Sequence, residues 1–140
     1  MTDSAVFFDA SILVYANDTA DEQKQDAARR LIAEVVRAGT GSVSTQVLAE
    51  FWVTVTQKIA TPMSRALAQH QMSLLSAFRV VPVDYGIVLS AVKLQTLHQL
   101  SYWDAQILAA AQAAHCTVLY SEDFRDGARF GALEVRNPFL

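Results

Sequence analysis

The chain has 140 residues, about one ordinary domain with room for a buried core. Lys and Arg number 11 against 14 Asp and Glu, a formal net charge of −3, so the molecule as a whole is no electrostatic trap for nucleic acid and any polyanion must be held locally. Hydrophobic residues make up 52%, yet no apolar run approaches the roughly 18 residues that span a bilayer, because Gln106, Gln112 and His115 interrupt even the alanine-rich stretch.

Val6-Phe7-Phe8 is a short apolar run that ends at Asp9, and Ser11 to Ala16 continues as a brief helix. Asp21 to Ala38 has a charged first turn and apolar residues at helical spacing, and Gly39-Thr40-Gly41 stops it. Val43 marks a second strand. Ser44 or Thr45 then caps a helix through Lys58 that buries Val47, Leu48, Phe51, Trp52, Val55 and Ile59. After a break at Thr61-Pro62, a helix runs from Ser64 to Phe78, and Val80-Val81-Pro82-Val83 is a third strand whose proline belongs at a sheet edge. Asp84 caps a helix to about His98, and Ser101 opens a last helix through Ala114. The strand Thr117 to Tyr120, a loop from Ser121 to Phe130 and a short strand near Leu133 to Val135 follow.

Strands and helices alternate throughout, and no linker or repeat divides the chain. The expectation is a single α/β domain spanning 1–140: a three-layer α/β/α arrangement with right-handed crossovers and a mainly parallel central sheet of about five strands. Cys116 reads as a small buried hydrophobe, and His70, His98 and His115 lack the spacing of a zinc site. Tyr15, Trp52 and Trp103 read as core residues. Arg125, Arg129, Arg136, Lys58 and Arg65 are the candidates for a local basic patch. The Met-Thr-Asp-Ser start lacks the basic opening of a secretory signal, so a cytoplasmic location is expected, and the apolar surplus points to a partner such as a second copy of the chain.

Four acids carry the chemical reading. Asp9 and Asp123 follow the carboxyl ends of apolar strands, where open parallel sheets gather their ligands. Each acid also has a plainer role. Asp9 can cap the helix after it, Asp104 completes a Ser-x-x-acid capping box with Ser101, and Glu122 competes with Asp123. Glu50 falls on the polar side of its helix with Gln46, Thr54 and Gln57, where a solvated glutamate would sit. Jointly they say more, because this winding places the first strand beside the fourth, so that Asp9 and Asp123 face each other at the crossover point with the helix starts of Glu50 and Asp104 on the same rim. Carboxylates sharing a site repel unless a cation intervenes, and an all-oxygen set suits Mg²⁺ or Mn²⁺.

The motifs resemble those of the PIN-domain ribonucleases, and within them the VapC-type toxins of type II toxin–antitoxin pairs. Phe8-Asp9-Ala10-Ser11 followed by Ile12-Leu13-Val14-Tyr15 is similar to the family's opening acidic motif, and Ser44 to Phe51 to the helix bearing its glutamate. Ser101-Tyr102-Trp103-Asp104-Ala105-Gln106-Ile107 is similar to the third acidic motif, Leu119-Tyr120-Ser121-Glu122-Asp123-Phe124 to the fourth, and Asn137-Pro138-Phe139 to the usual tail. The resemblance covers nearly the whole chain. It implies that Asp9, Glu50, Asp104 and Asp123 ligate the metal and carry catalysis, that Ser11 supports the first acid or a metal-bound water, and that Asp123 is chosen over Glu122 by its place two residues after Ser121. It further implies an RNA substrate, an antitoxin partner and a homodimer. Two other classes compete: a catalytically silent PIN-like module that only binds RNA or protein, and a Mg²⁺-binding phospho-receiver, which wants paired acids at the first strand and a lysine after the last.

Overall fold

The computed structural model describes residues 5–140. Among them the first element is β1 (Val6–Phe8), wholly buried, followed by α1 (Ala10–Asn17) and α2 (Glu22–Ala38). Asp21 caps α2 by accepting from the Lys24 N–H at 3.1 Å, and Gly39 closes it at φ 71°, a left-handed turn that glycine adopts without a Cβ penalty. The chain continues through β2 (Gly41–Ser44), α3 (Thr45–Val53), α4 (Arg65–Leu74), β3 (Arg79–Val81), α5 (Tyr85–His98), α6 (Tyr102–Ala113), β4 (Val118–Tyr120), β5 (Arg129–Phe130) and β6 (Leu133–Arg136).

The strands form one sheet in the order β3-β2-β1-β4-β6-β5, parallel except for the β5–β6 pair. This is the expected three-layer α/β/α fold with six strands rather than about five. The extra strand, β5, has two residues and lies inside the stretch expected to be loop, too short for any period of apolar residues to show. Arg79–Val81 is an edge strand, and Pro82 follows its last residue, where no ladder hydrogen bond is lost.

Two helices depart from expectation. The helix expected through Lys58 is α-helical only to Val53 and then widens into a π-turn over Thr54–Lys58, closed by the Ile59 N–H on the Thr54 carbonyl at 3.1 Å. Thr54-Val55-Thr56 crowds the turn with β-branched side chains, and Thr56 Oγ1 donates to the Trp52 carbonyl at 2.6 Å, competing for a helical acceptor. The helix expected through Phe78 ends at Leu74 and tightens into a 3₁₀ turn at Leu75–Ala77, which turns Phe78 into the core.

Phe7, Phe8, Ile12, Phe51, Leu108 and Leu119 are fully buried between sheet and helices, with α1 packed on α2 and α3, and α5 on α6. Cys116 is buried as expected. Gly41 permits the closest approach, since a Cβ there would lie 2.4 Å from Phe78 Cδ1 and 2.8 Å from Val35 Cγ1. Gly41→Ala is expected to cost about 1–3 kcal/mol by overpacking. Urea denaturation measures this, and an unchanged midpoint would show that the core yields there.

Candidate active site

The pairing of β1 with β4 sets the register of the site. Phe8 lies opposite Tyr120, and the Asp9 N–H donates to the Tyr120 carbonyl at 3.0 Å, so Asp9 and Ser121 leave the sheet side by side. Asp9 caps α1 and is 4% exposed. Its Oδ1 accepts from the Ala10 N–H at 2.7 Å, and its Oδ2 accepts from Ser121 Oγ at 2.7 Å. Ser121, itself fully buried, accepts in turn from the Asp123 N–H at 3.0 Å. One hydroxyl therefore ties the first acid to the loop that carries Asp123.

The acids act on one another. Burial, and behind it the charges of Asp123 and Glu50, push the Asp9 carboxyl up from 3.8 to about 7, against the hydrogen bonds from Ser121 and Ala10 that favour its anion. Glu50 is raised by desolvation and by Asp123 and Asp104, and Asp104 by desolvation and by Asp123. The charge of Asp123, exposed at the mouth, acts in the same direction on all three. The four acids thus share a field although their sequence positions span most of the chain.

An open cleft of about 460 Å³ lies over this arrangement, lined by Asp9, Ser11, Glu50, Glu122 and Asp123 and by Lys58 of the π-turn. Glu50 of α3 and Thr54 of the π-turn, which read as solvated in sequence, border this cleft. Asp104 sits in the first turn of α6, where its N–H donates to Ser101 Oγ at 3.1 Å, so Ser101 caps the helix as expected and the Asp104 side chain is left half-exposed. As the side chains stand, no group of three His, Cys, Asp or Glu among the described residues is gathered to hold a metal ion. The donors nevertheless suit a hard divalent cation, being all oxygen and mutually repelling.

Glu122 is engaged elsewhere. It accepts from Tyr15 Oη at 2.8 Å and pairs with Lys24 Nζ at 2.5 Å, while Lys24 also lies over the Tyr15 ring and Tyr15 packs edge-on against Phe139 of the tail. Ser11 Oγ accepts from the Glu122 N–H at 3.4 Å. This clasp anchors the loop on one side of the acids. Nothing in the sequence marks Lys24 or Tyr15 as its partners, because Glu122 is 98 residues from Lys24 and 107 from Tyr15.

Of the basic candidates, Arg129 and Arg136 pair with Glu134 at 2.7 and 2.8 Å, and Lys58 is on the cleft. Trp103 is not core but 64% exposed, standing with Gln46, Ala49 and Glu50 around a second recess. Tyr15 and Trp52 are half-buried against the core.

The PIN domain profile matches residues 6–130. The chain belongs to the PIN-domain family. Among solved structures, this PIN domain is similar to the sarcin–ricin loop-cleaving toxin VapC20 of Mycobacterium tuberculosis, at 21% identity over 85% of this chain and 90% of that one, with a TM-score of 0.69. It is similar as well to a chain of a toxin–antitoxin complex from Klebsiella pneumoniae, at 21% identity, 96% and 98% coverage and a TM-score of 0.68. A third, VapBC2 of Rickettsia felis bound to a fragment of its promoter DNA, aligns at 17% identity, 95% and 98% coverage and a TM-score of 0.68. No curated protein sequence matches. No helix among the described residues is long and apolar enough to cross a membrane.

Proposed function

We propose that this PIN domain is a Mg²⁺- or Mn²⁺-dependent endoribonuclease, the toxin of a type II toxin–antitoxin pair. The observation that carries the reading is Asp9: a buried carboxyl whose ionisation is resisted by burial and by two neighbouring acids, at the crossover point of a parallel sheet in a PIN fold. Such a site is at odds with itself until a cation arrives.

Asp9, Asp104 and Asp123 would hold the ion, and Glu50 would hold it through water or orient the attacking water. A divalent ion supplies acidified water and offsets the charge of the attacked phosphate. Ser121 keeps Asp9 Oδ2 and the Asp123 backbone in fixed relation, which lowers the reorganisation needed on binding. Lys58, on the cleft wall, offers a positive charge to the RNA backbone in a molecule that is otherwise acidic.

The choice of Asp123 over Glu122 rests on engagement: Glu122 is already paired with Lys24 and Tyr15. Asp123→Asn is expected to lower kcat/KM as severely as loss of Asp9. Glu122→Gln is expected to lower it less than about tenfold, since a partly exposed ion pair is worth about 1 kcal/mol or less. The reverse ranking would transfer the role to Glu122.

The chain's resemblance to toxin–antitoxin complexes supports an antitoxin partner. A separate groove of about 550 Å³ between α1, α2 and α4, walled by Leu13, Ile32, Val36, Leu74 and Phe78, offers apolar surface to it. Homodimerisation is proposed through α5, which leaves Tyr85, Leu89 and Val92 exposed. The test of the activity is cleavage of a panel of structured RNAs, a sarcin–ricin loop hairpin included, with Mn²⁺, with Mg²⁺ and with chelator. Metal-dependent strand scission supports the reading; Mn²⁺ binding with intact RNA throughout would favour the catalytically silent module.

A further inference from the structure

Helix α6 is apolar nearly all round, with Ala105, Ile107, Leu108, Ala109, Ala110 and Ala111 buried, yet Gln106 is buried among them at 6% exposure. A primary amide is costly in such surroundings unless its hydrogen bonds are made. Both ends of Gln106 are satisfied. Tyr102 Oη donates to Gln106 Oε1 at 2.8 Å, and Gln106 Nε2 donates to Gln46 Oε1 at 2.8 Å. Gln46 Nε2 then donates to Glu50 Oε1 at 2.9 Å and to the Trp103 carbonyl at 3.2 Å.

The polarity of this chain of bonds follows from its end. An ionised carboxylate only accepts, so Gln46 must present its NH₂ to Glu50 and its oxygen to Gln106. Gln106 must then give its NH₂ to Gln46 and its oxygen to the Tyr102 hydroxyl. Every donor points toward Glu50. The Trp103 carbonyl, next to Asp104, is held by the same Gln46 amide, so the chain joins the helix of one acid to the helix start of another.

We propose that Tyr102, Gln106 and Gln46 are positioning residues: an oriented amide relay that holds Glu50 in one rotamer at a fixed distance from the start of α6, ready to bind a divalent cation. The proposal rests on the reading of Glu50 as part of the metal site. A glutamate on a helix surface otherwise loses rotamer freedom when it binds an ion, and the relay removes that cost beforehand.

The test is Mn²⁺ affinity, read from the free-ion electron paramagnetic resonance signal, on the folded full chain and the variants Glu50→Gln, Gln106→Leu, Tyr102→Phe and Glu50→Gln/Gln106→Leu. Gln106→Leu is expected to weaken Mn²⁺ binding about tenfold or more, the usual cost of losing the partner of a ligand, while the chain stays folded by melting curve, since Gln46 Oε1 and Tyr102 Oη, both only partly buried, can take water in place of the lost amide. Tyr102→Phe, which keeps the buried amide and removes one outer donor, is expected to show a smaller loss in the same direction. In the Glu50→Gln background, Gln106→Leu is expected to add nothing, since relay and carboxylate act as one unit. If Glu50→Gln weakens binding while Gln106→Leu and Tyr102→Phe leave it unchanged, or if the losses are additive, the relay is overturned and the metal site stands. If Glu50→Gln itself changes nothing, the metal reading of Glu50 fails and the relay with it.

Discussion

Asp9→Asn is expected to reduce metal-dependent RNA cleavage by about 10³-fold or more while leaving the fold intact, since a metal's stabilisation of phosphoryl charge is worth several kcal/mol and each 1.36 kcal/mol is tenfold in rate. The asparagine is nearly isosteric. Its oxygen still accepts from the Ala10 N–H, so the cap on α1 survives, while its amide nitrogen takes the place of Oδ2 and donates to Ser121 Oγ, reversing that bond as the charge is removed from a position that is otherwise 4% exposed. Cleavage at saturating Mn²⁺, measured beside far-UV circular dichroism and a melting curve, separates the two effects. A native-like rate in this variant would remove Asp9 from the machinery, and with it the buried end of the site.

The second large effect is on stability as a function of pH. The folded pKa of Asp9, about 7, lies above its ordinary 3.8, so the folded chain binds this proton more tightly than the unfolded chain does. The stabilisation this group provides is therefore fully present below about pH 4 and is lost as pH rises through 7, a sign opposite to that of a salt-bridged aspartate. At 1.36 kcal/mol per pKa unit the loss is at most about 4 kcal/mol. The comparison of native chain with Asp9→Asn in metal-free buffer from pH 4 to 8 isolates it: the native chain should lose stability relative to the variant across that window. Mn²⁺ at 100 times its dissociation constant should restore about 2.7 kcal/mol to the native chain at pH 7.5 and far less to the variant. A native chain whose stability rises with pH relative to Asp9→Asn would contradict the assignment of Asp9 as a strained, ion-seeking acid.

The neighbours of the site were legible in sequence to different depths. Asp9 and Asp123 could be placed because short apolar strands end shortly before them and the rules of parallel winding put β1 beside β4. Glu50 could not be separated from a solvated glutamate by periodicity, since a residue that borders an open cleft is as polar and exposed as one in bulk solvent. The π-turn at Thr54–Lys58 was hidden because residues of the same polarity serve an α-helix or a π-turn equally well. Gln106 was visible only as an interruption of an alanine-rich stretch. Its partner Gln46 is 60 residues away, and no local pattern links two amides at that distance. The i to i+4 spacings of Gln46 with Glu50 and of Tyr102 with Gln106 were the local signals for the relay. Trp103 reads as core from its residue type, whereas its place in the first turn of α6 turns it to solvent beside Glu50.

The same contrast explains why a chain of net charge −3 can be read as acting on RNA. Its acids at the cleft do not attract a polyanion by themselves, and Lys58 is a modest counterweight. On the proposed function, attraction would depend on a cation held by the acids, which would couple metal binding to substrate binding. RNA affinity measured with a non-cleavable oligonucleotide should therefore rise with Mn²⁺ in the native chain.

The most direct measurement is anomalous diffraction from a crystal soaked in Mn²⁺. A strong peak is expected in the cleft lined by Asp9, Glu50 and Asp123, with Asp9 and Asp123 oxygens turned onto it and Asp104 drawn in from the start of α6. Full occupancy of Mn²⁺ elsewhere on the molecule, with these four carboxylates bare, would contradict it.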